Sequence, residues 1–178
     1  MLSRQNFSGR ITELNDTEYN IRVDLQGCIL RVFDSTGGLV AEYPVIVGRR
    51  TSLGHKNFQG DCRTPRGVYR VCTLNRQSRF TLFFGLSYPG PGDAREALRQ
   101  GIISGEEFES IIQAHRACRR PPWDTPLGGE IGIHGGGIER EGTRGCVGMR
   151  DEDVLELARY VKMGTPVELF YRGRAGQS

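Results

Sequence analysis

The stretch IHGGGIEREGTRGCVGM, Ile133–Met149, sets a histidine and a cysteine in a run that also holds Gly135, Gly136, Gly137, Gly142, Gly145 and Gly148. Glycine loses more chain entropy on folding than other residues, so such clusters mark places where backbone geometry outweighs side-chain packing. Two readings fit these residues alone. In the first, the backbone comes close to a bound molecule, and His134 and Cys146 do chemistry on it. In the second, a surface loop carries an incidental histidine and an incidental cysteine.

The flanks are regular. Upstream, GEIGIHGGG reads as a short strand entering the glycine loop. Downstream, RDEDVLELARYVKMG has the pattern of a helix, with Asp151 in the N-cap place. Glu152 and Asp153 suit the positive end of its dipole and Lys162 the other end. Gly164 and Pro166 terminate it, and TPVELFY follows as a closing strand. Nearer the N-terminus, Ile21, Val23 and Leu25 alternate with polar residues, as do Leu30 and Val32, and the turn signal STGG predicts a hairpin over 28–47. Val68–Leu74 and the run RFTLFFGLSYPG read as two more strands. Between them and the glycine loop, GDAREALRQG and SGEEFESIIQAHRACRR predict two short helices. Ser104 and Glu107 form a capping box in the second, and Phe108, Ile111, Ile112 and His115 share its stripe. The expectation is a mostly β, α+β chain. A lead-in covers 1–20, one domain covers 21–172 with a helical insertion near 93–120, and a tail covers 173–178.

With 178 residues, the chain is long enough to bury a full core. Its net charge of +3 is too mild, and its basic residues too scattered, to point to nucleic acid. Only Lys56 and Lys162 are lysines, and the other basic residues are arginines, whose planar fork suits carboxylates. No apolar run reaches membrane-spanning length, and the polar opening MLSRQNFSGRITELND has no apolar signal region. Cys28, Cys62, Cys72, Cys118 and Cys146 form no CxxC pair, which argues against a zinc ribbon or thioredoxin-type site. The four besides Cys146 are expected to be buried thiols. The three histidines lack metal-ligand spacing, so neither a metal nor a cofactor is expected.

The order of segments resembles the catalytic domain of the YkuD-type L,D-transpeptidases, cysteine enzymes of bacterial cell-wall metabolism. Four pieces carry the likeness: IRVDLQGCILRVFDSTGGLVAEYPVIVG, GDCRTPRGVY (Gly60–Tyr69), IHGGG, and TRGCVGM (Thr143–Met149). The resemblance implies that family's fold, with β-sandwich-like mixed sheets, a helical insertion and one helix after the nucleophile. Two positions depart from the family pattern. Gly148 stands where many members carry arginine, and Arg144 where many carry histidine. A branch with a small residue after the cysteine also carries an LSYP segment like Leu86–Pro89.

The resemblance further implies that Cys146 is the nucleophile and His134 its base. Gly145 and Cys146 would supply oxyanion-hole amides, and Gly135 would hold the imidazole through its carbonyl. Arg144 and Tyr88 are weaker substrate-binding candidates. Asp61 and Thr64 are expected to shape their loop, and His55 and His115 to stay outside the chemistry. The implied partner is a peptidoglycan stem peptide, with no nucleic acid and no stable membrane insertion, and the implied location is the periplasm or cell wall. An amine acceptor makes the chain a transpeptidase, and water makes it an L,D-carboxypeptidase or amidase. A catalytically silent murein-binding module is the alternative from another class.

Overall fold

A computed structural model of the chain describes residues 18–172, so the expected tail and most of the expected lead-in lie outside the described residues. Among the described residues eight strands form: β1 (Tyr19–Asp24), β2 (Ile29–Asp34), β3 (Leu39–Pro44), β4 (Gly67–Ser78), β5 (Thr81–Leu86), β6 (Gly132–His134), β7 (Val147–Gly148) and β8 (Pro166–Phe170). They hydrogen-bond in the order β3-β2-β1-β8-β4-β5-β6-β7. The chain is mostly β and mixed, with β1–β8 and β6–β7 parallel.

The expected sandwich-like layers are one continuous sheet that curls. Strand β4 makes the bend. Its residues Gly67–Arg70 pair with β8, while Val71–Ser78 pair with β5 across a register shift between Val71 and Thr73. Such irregularities increase local twist and bend a strand. The curl nearly closes, because Ile46 bridges to Gly148 and Gly48 bridges to Thr143. Inside it lies a core built from alternate residues of every layer, including Ile21, Val23, Leu30, Val32, Val71, Leu86, Ile133, Val147, Val167 and Leu169.

Among the described residues three α-helices accompany the sheet: α1 (Pro91–Arg99), α2 (Gly105–Arg116) and α3 (Asp151–Leu157). The Ser104 capping box is formed, with Glu107 N–H donating to Ser104 Oγ at 3.2 Å and Ser104 N–H to Glu107 Oε2 at 2.7 Å. Helices α1 and α2 close a second small core of Ala94, Ala97, Ile103, Ile111 and Leu127. Helix α3 is shorter than the sequence pattern suggests. It ends at Leu157, and the chain then turns so that Val161 reaches the core and Tyr160 meets Tyr19 edge-on at 5.1 Å. Arg150 takes the N-cap place without a side-chain cap, and Asp151 is the first helical residue.

The fold holds its short β6 by burial. Ile133 is fully buried in the core directly behind the glycine loop. Ile133→Ala is therefore expected to cost about 2–5 kcal/mol of unfolding free energy, through lost burial plus a cavity. Denaturant titration of the two proteins measures it.

Candidate active site

Strands β6 and β7 form the floor. Their register pairs Ile133 with Val147 and His134 with Gly148. Residues paired across a sheet point to the same side, and neighbours along a strand alternate. Ile133 and Val147 therefore face the core, where both are fully buried. His134 and Gly148 face the other way. One step back, just before β7, Cys146 stands beside Gly132, whose amide lies against its thiol. The imidazole and the thiol thus occupy diagonal corners of one patch, with glycine at the other two corners. One strand across and two residues along puts their Cα atoms about 8 Å apart, and both side chains line the same cleft.

His134 is buried and held on several sides. Its Nδ1 lies 2.5 Å from the Gly135 carbonyl oxygen. A carbonyl only accepts, so Nδ1 carries the proton and Nε2 keeps its lone pair. Phe80 stacks on the ring at 4.4 Å, and Phe83 lies at 6.4 Å. Burial, together with the positive charges of Arg140 and Arg79, holds the imidazole below its ordinary value, against the pull of the Gly135 carbonyl. The ring is therefore neutral at neutral pH.

Cys146 is half-buried, and its Sγ lies 3.3 Å from the Glu130 carbonyl oxygen. Burial pushes the thiol up to about 11, and the Glu130 carboxylate adds to this, while the Gly132 amide and Lys56 act in the opposite sense. The residue that ties the loop together is Thr143, whose role the sequence alone did not reveal. Its hydroxyl donates to the Cys146 carbonyl at 2.6 Å and accepts from Gly145 N–H at 3.0 Å. The Gly145 amide, expected among the oxyanion donors, is thus engaged within its own turn. The reason is local: Gly145 sits at φ +142, packed against the Arg63 carbonyl, and the Thr143 hydroxyl lies within reach of its amide.

An open cleft of about 1480 Å³ runs over this floor. That exceeds the usual small-molecule pocket and leaves room for a peptide. Arg49, Arg79, Arg120, Arg140 and Arg144 line it, and Glu130 is the one acidic residue among its lining groups. Arg120 stacks over Trp123 at 4.6 Å. The Trp123 indole lies flat on Gly129, where a Cβ would come within 2.1 Å of it, and donates from Nε1 to the Tyr88 carbonyl at 3.0 Å.

Tyr88 does not line this cleft. It is fully buried, its hydroxyl donates to the Leu127 carbonyl at 3.3 Å, and Lys56 Nζ sits 5.9 Å from its ring centroid. An aromatic ring at the junction of the sheet and the helical insertion gains more from burial there than from a solvated groove. Asp61 pairs with Lys56 at 2.9 Å, both buried. Burial alone would raise this carboxyl, but the Asn57 amide, Lys56 and the Arg63 amide together hold it below the usual range. Thr64 Oγ1 accepts from Gly48 N–H at 2.8 Å. His55 pairs with Asp93 at 2.8 Å, and His115 donates from Nε2 to the Pro89 carbonyl at 2.8 Å. All five cysteines are free, and the expectation of buried thiols holds only for Cys72. Cys28 and Cys62 are half-buried and Cys118 is exposed, all three with a positive φ between 51° and 58°. Among the described residues, no group of three His, Cys, Asp or Glu is placed to hold a metal ion, and no helix is long and apolar enough to cross a membrane.

The profile of the YkuD family, the L,D-transpeptidase catalytic domain, matches residues 18–169. A Bacillus licheniformis protein assigned as the L,D-transpeptidase YkuD is 29% identical over 155 residues, which cover 85% of this chain and 65% of that protein. Among solved structures, Bd1075 of Bdellovibrio bacteriovorus is 26% identical with a TM-score of 0.58, covering 86% of this chain and 48% of its own. The helical cell shape determining protein Pgp2 of Campylobacter jejuni, 20% identical with a TM-score of 0.60, shares the fold over 91% of this chain and 54% of its own. The chain thus spans about half the length of these solved relatives and just under two thirds of the curated one.

A neutral imidazole beside a protonated thiol has a measurable consequence. Alkylation of Cys146 by iodoacetamide in the free protein is expected to keep rising with pH above about 9. A preformed thiolate–imidazolium pair would instead level off in mild acid, and a rate-against-pH profile distinguishes the two.

Proposed function

This chain belongs to the YkuD family of L,D-transpeptidase catalytic domains, and on that premise we propose that it transfers acyl groups of peptidoglycan stem peptides through a thioester on Cys146. The observation that carries the proposal is the sharing of one glycine-flanked face by Cys146 and His134, with the free Nε2 lone pair on the histidine. Cys146 Sγ attacks the carbonyl at the L-centre of diaminopimelate as His134 Nε2 takes the thiol proton. The C–N bond breaks, and His134 returns the proton to the departing D-alanine. An amine acceptor then attacks the thioester, loses its proton to His134 and releases the thiol as a new peptide bond forms. The Cys146 amide serves the oxyanion, while the Gly145 amide keeps the nucleophile turn closed through Thr143. The arginine-lined cleft suits a stem peptide, which carries several carboxylates. Such a substrate lies outside the cytoplasmic membrane, so the reading carries with it a periplasmic or cell-wall location.

A second reading keeps the thioester and changes its fate: water in place of the amine gives an L,D-carboxypeptidase. Gly148 favours this reading. A Cβ there would come within 2.8 Å of Ile46 Cγ1, so the family's frequent arginine has no room without movement of Ile46. In the nucleophile segment itself the positive charge on the cleft is Arg144, which is exposed there, whereas Arg150 is not among the cleft's lining residues and lies 3.9 Å from Asp153.

Mass spectrometry of muropeptides separates these outcomes. With an amine acceptor present, cross-linked products mark the transpeptidase, and shortened stems alone mark the carboxypeptidase. Cys146→Ala is expected to abolish both, and a carbapenem to add to the wild-type protein at Cys146. Retained turnover in Cys146→Ala overturns the reading. Arg144→Ala is expected to raise KM for a tetrapeptide donor roughly tenfold, the scale of one charge-assisted contact, with Arg150→Ala close to wild type. Steady-state kinetics on the two variants checks it.

A further inference from the structure

Asp151 stands at the first position of α3, yet its carboxylate does not serve the helix. Its Oδ1 accepts from Gly136 N–H at 2.8 Å and from Thr81 Oγ1 at 2.6 Å. Gly136 N–H and Gly135 C=O are the two ends of one peptide group, and the carbonyl end accepts from His134 Nδ1 at 2.5 Å. A continuous chain therefore runs from carboxylate to peptide to imidazole. The Thr81 end is held under strain, since Thr81 sits at φ +68, an uncommon conformation for a β-branched residue that persists where surroundings impose it. Gly135 is equally constrained: a Cβ there would come within 2.4 Å of Asp151 Oδ1 and 2.8 Å of the Phe80 carbonyl. The same hairpin tip carries Phe80, the ring stacked on His134.

We propose that Asp151 is a positioning residue for His134, acting through the 135–136 peptide as the charged end of a relay in which a backbone amide stands between carboxylate and imidazole. This rests on the reading of His134 as the base. A carboxylate on the amide end polarises the peptide, and hydrogen bonds in series strengthen one another. The carbonyl end then holds Nδ1–H more firmly, which keeps the Nε2 lone pair aimed at Cys146 and supports the proton that Nε2 takes up. The relay opposes the groups that resist protonation, namely Arg79, Arg140 and the aromatic enclosure of Phe80 and Phe83. The Cys146 thiol, just before the adjoining strand β7, is the group that gives up the proton. Asp151 is exposed, so water screens the carboxylate and the effect is modest. Asp153, on the same turn, faces Arg150 instead.

The test reads the imidazole directly. Long-range proton–nitrogen NMR of the three histidines gives both tautomer and pKa, in a Cys146→Ala background that removes the thiol's own titration. Asp151→Asn keeps an acceptor of the same shape without its charge. It is expected to lower the His134 pKa by about half a pH unit with Nδ1–H retained. Asp151→Ser, which also removes the reach, is expected to lower it and to mix the tautomers. His55 and His115 are expected to stay put in both, and Asp153→Asn to leave His134 unchanged. In the Cys146-containing protein, Asp151→Asn is expected to reduce kcat for acyl transfer several-fold with KM unchanged. An unchanged His134 pKa and tautomer in both Asp151 variants overturns the relay, as does an equal shift from Asp153→Asn. Because the titration needs no turnover, a His134 shift without acyl transfer in the wild-type protein would count against the proposed function and still support the relay.

Discussion

The site depends on two backbone pairings in the shortest strands of the sheet, Ile133 with Val147 and His134 with Gly148. A parallel pair of this length has little strength of its own. It is held from three directions: β5 pairs along the other edge of β6, Ile46 bridges to Gly148 from beyond β7, and the core closes over Ile133 and Val147 from behind. The pairing also sets the alternation. A slip of one residue in either strand would turn that strand's polar side chain into the core and bring an aliphatic residue to the cleft. The near-closure of the curled sheet thus keeps the register, and the register puts a thiol and an imidazole on one face.

Electrostatics at this face pull the two groups apart. Burial dominates both, lowering the imidazole and raising the thiol. Each is therefore in its neutral form at rest. Among the described residues, no arginine is one of the charges that act on the thiol; the guanidinium groups line the open cleft and give it a positive field. The buried Lys56–Asp61 pair beneath is structural, since Asp61 also accepts from the Asn57 and Arg63 amides and thereby shapes the loop that carries Thr64.

The helical insertion is attached through polar contacts at its joints. Tyr69 donates to Asp93 at 3.1 Å, His115 to the Pro89 carbonyl, and Trp123 to the Tyr88 carbonyl. Each joins the insertion to the strand and turn that precede it. The last also fixes the indole that forms one wall of the cleft, so an element outside the sheet shapes what the site can admit.

Much of this was legible in the chain itself. The strands and the hairpin follow from alternation at Ile21, Val23 and Leu25. The second helix start follows from Ser104 and Glu107, and the candidate pair that lines the cleft from His134 and Cys146 in their glycine frame. These are signals carried by near neighbours, which periodicity and capping chemistry express directly. Other features had no local signature. Tyr88 reads as a groove residue beside a proline and is buried at a junction, and Gly145 reads as an oxyanion donor and spends its amide on Thr143. The helix after Cys146 stops at Leu157 because Tyr160 and Val161 are drawn to the sheet. Asp151 reads as a helix cap and reaches Thr81, 70 positions away. Residue type and spacing determined the local elements and the family pattern that the chain carries. Only the order of strands in the curled sheet decided which distant residues meet, because contacts across such separations arise from packing and not from propensity.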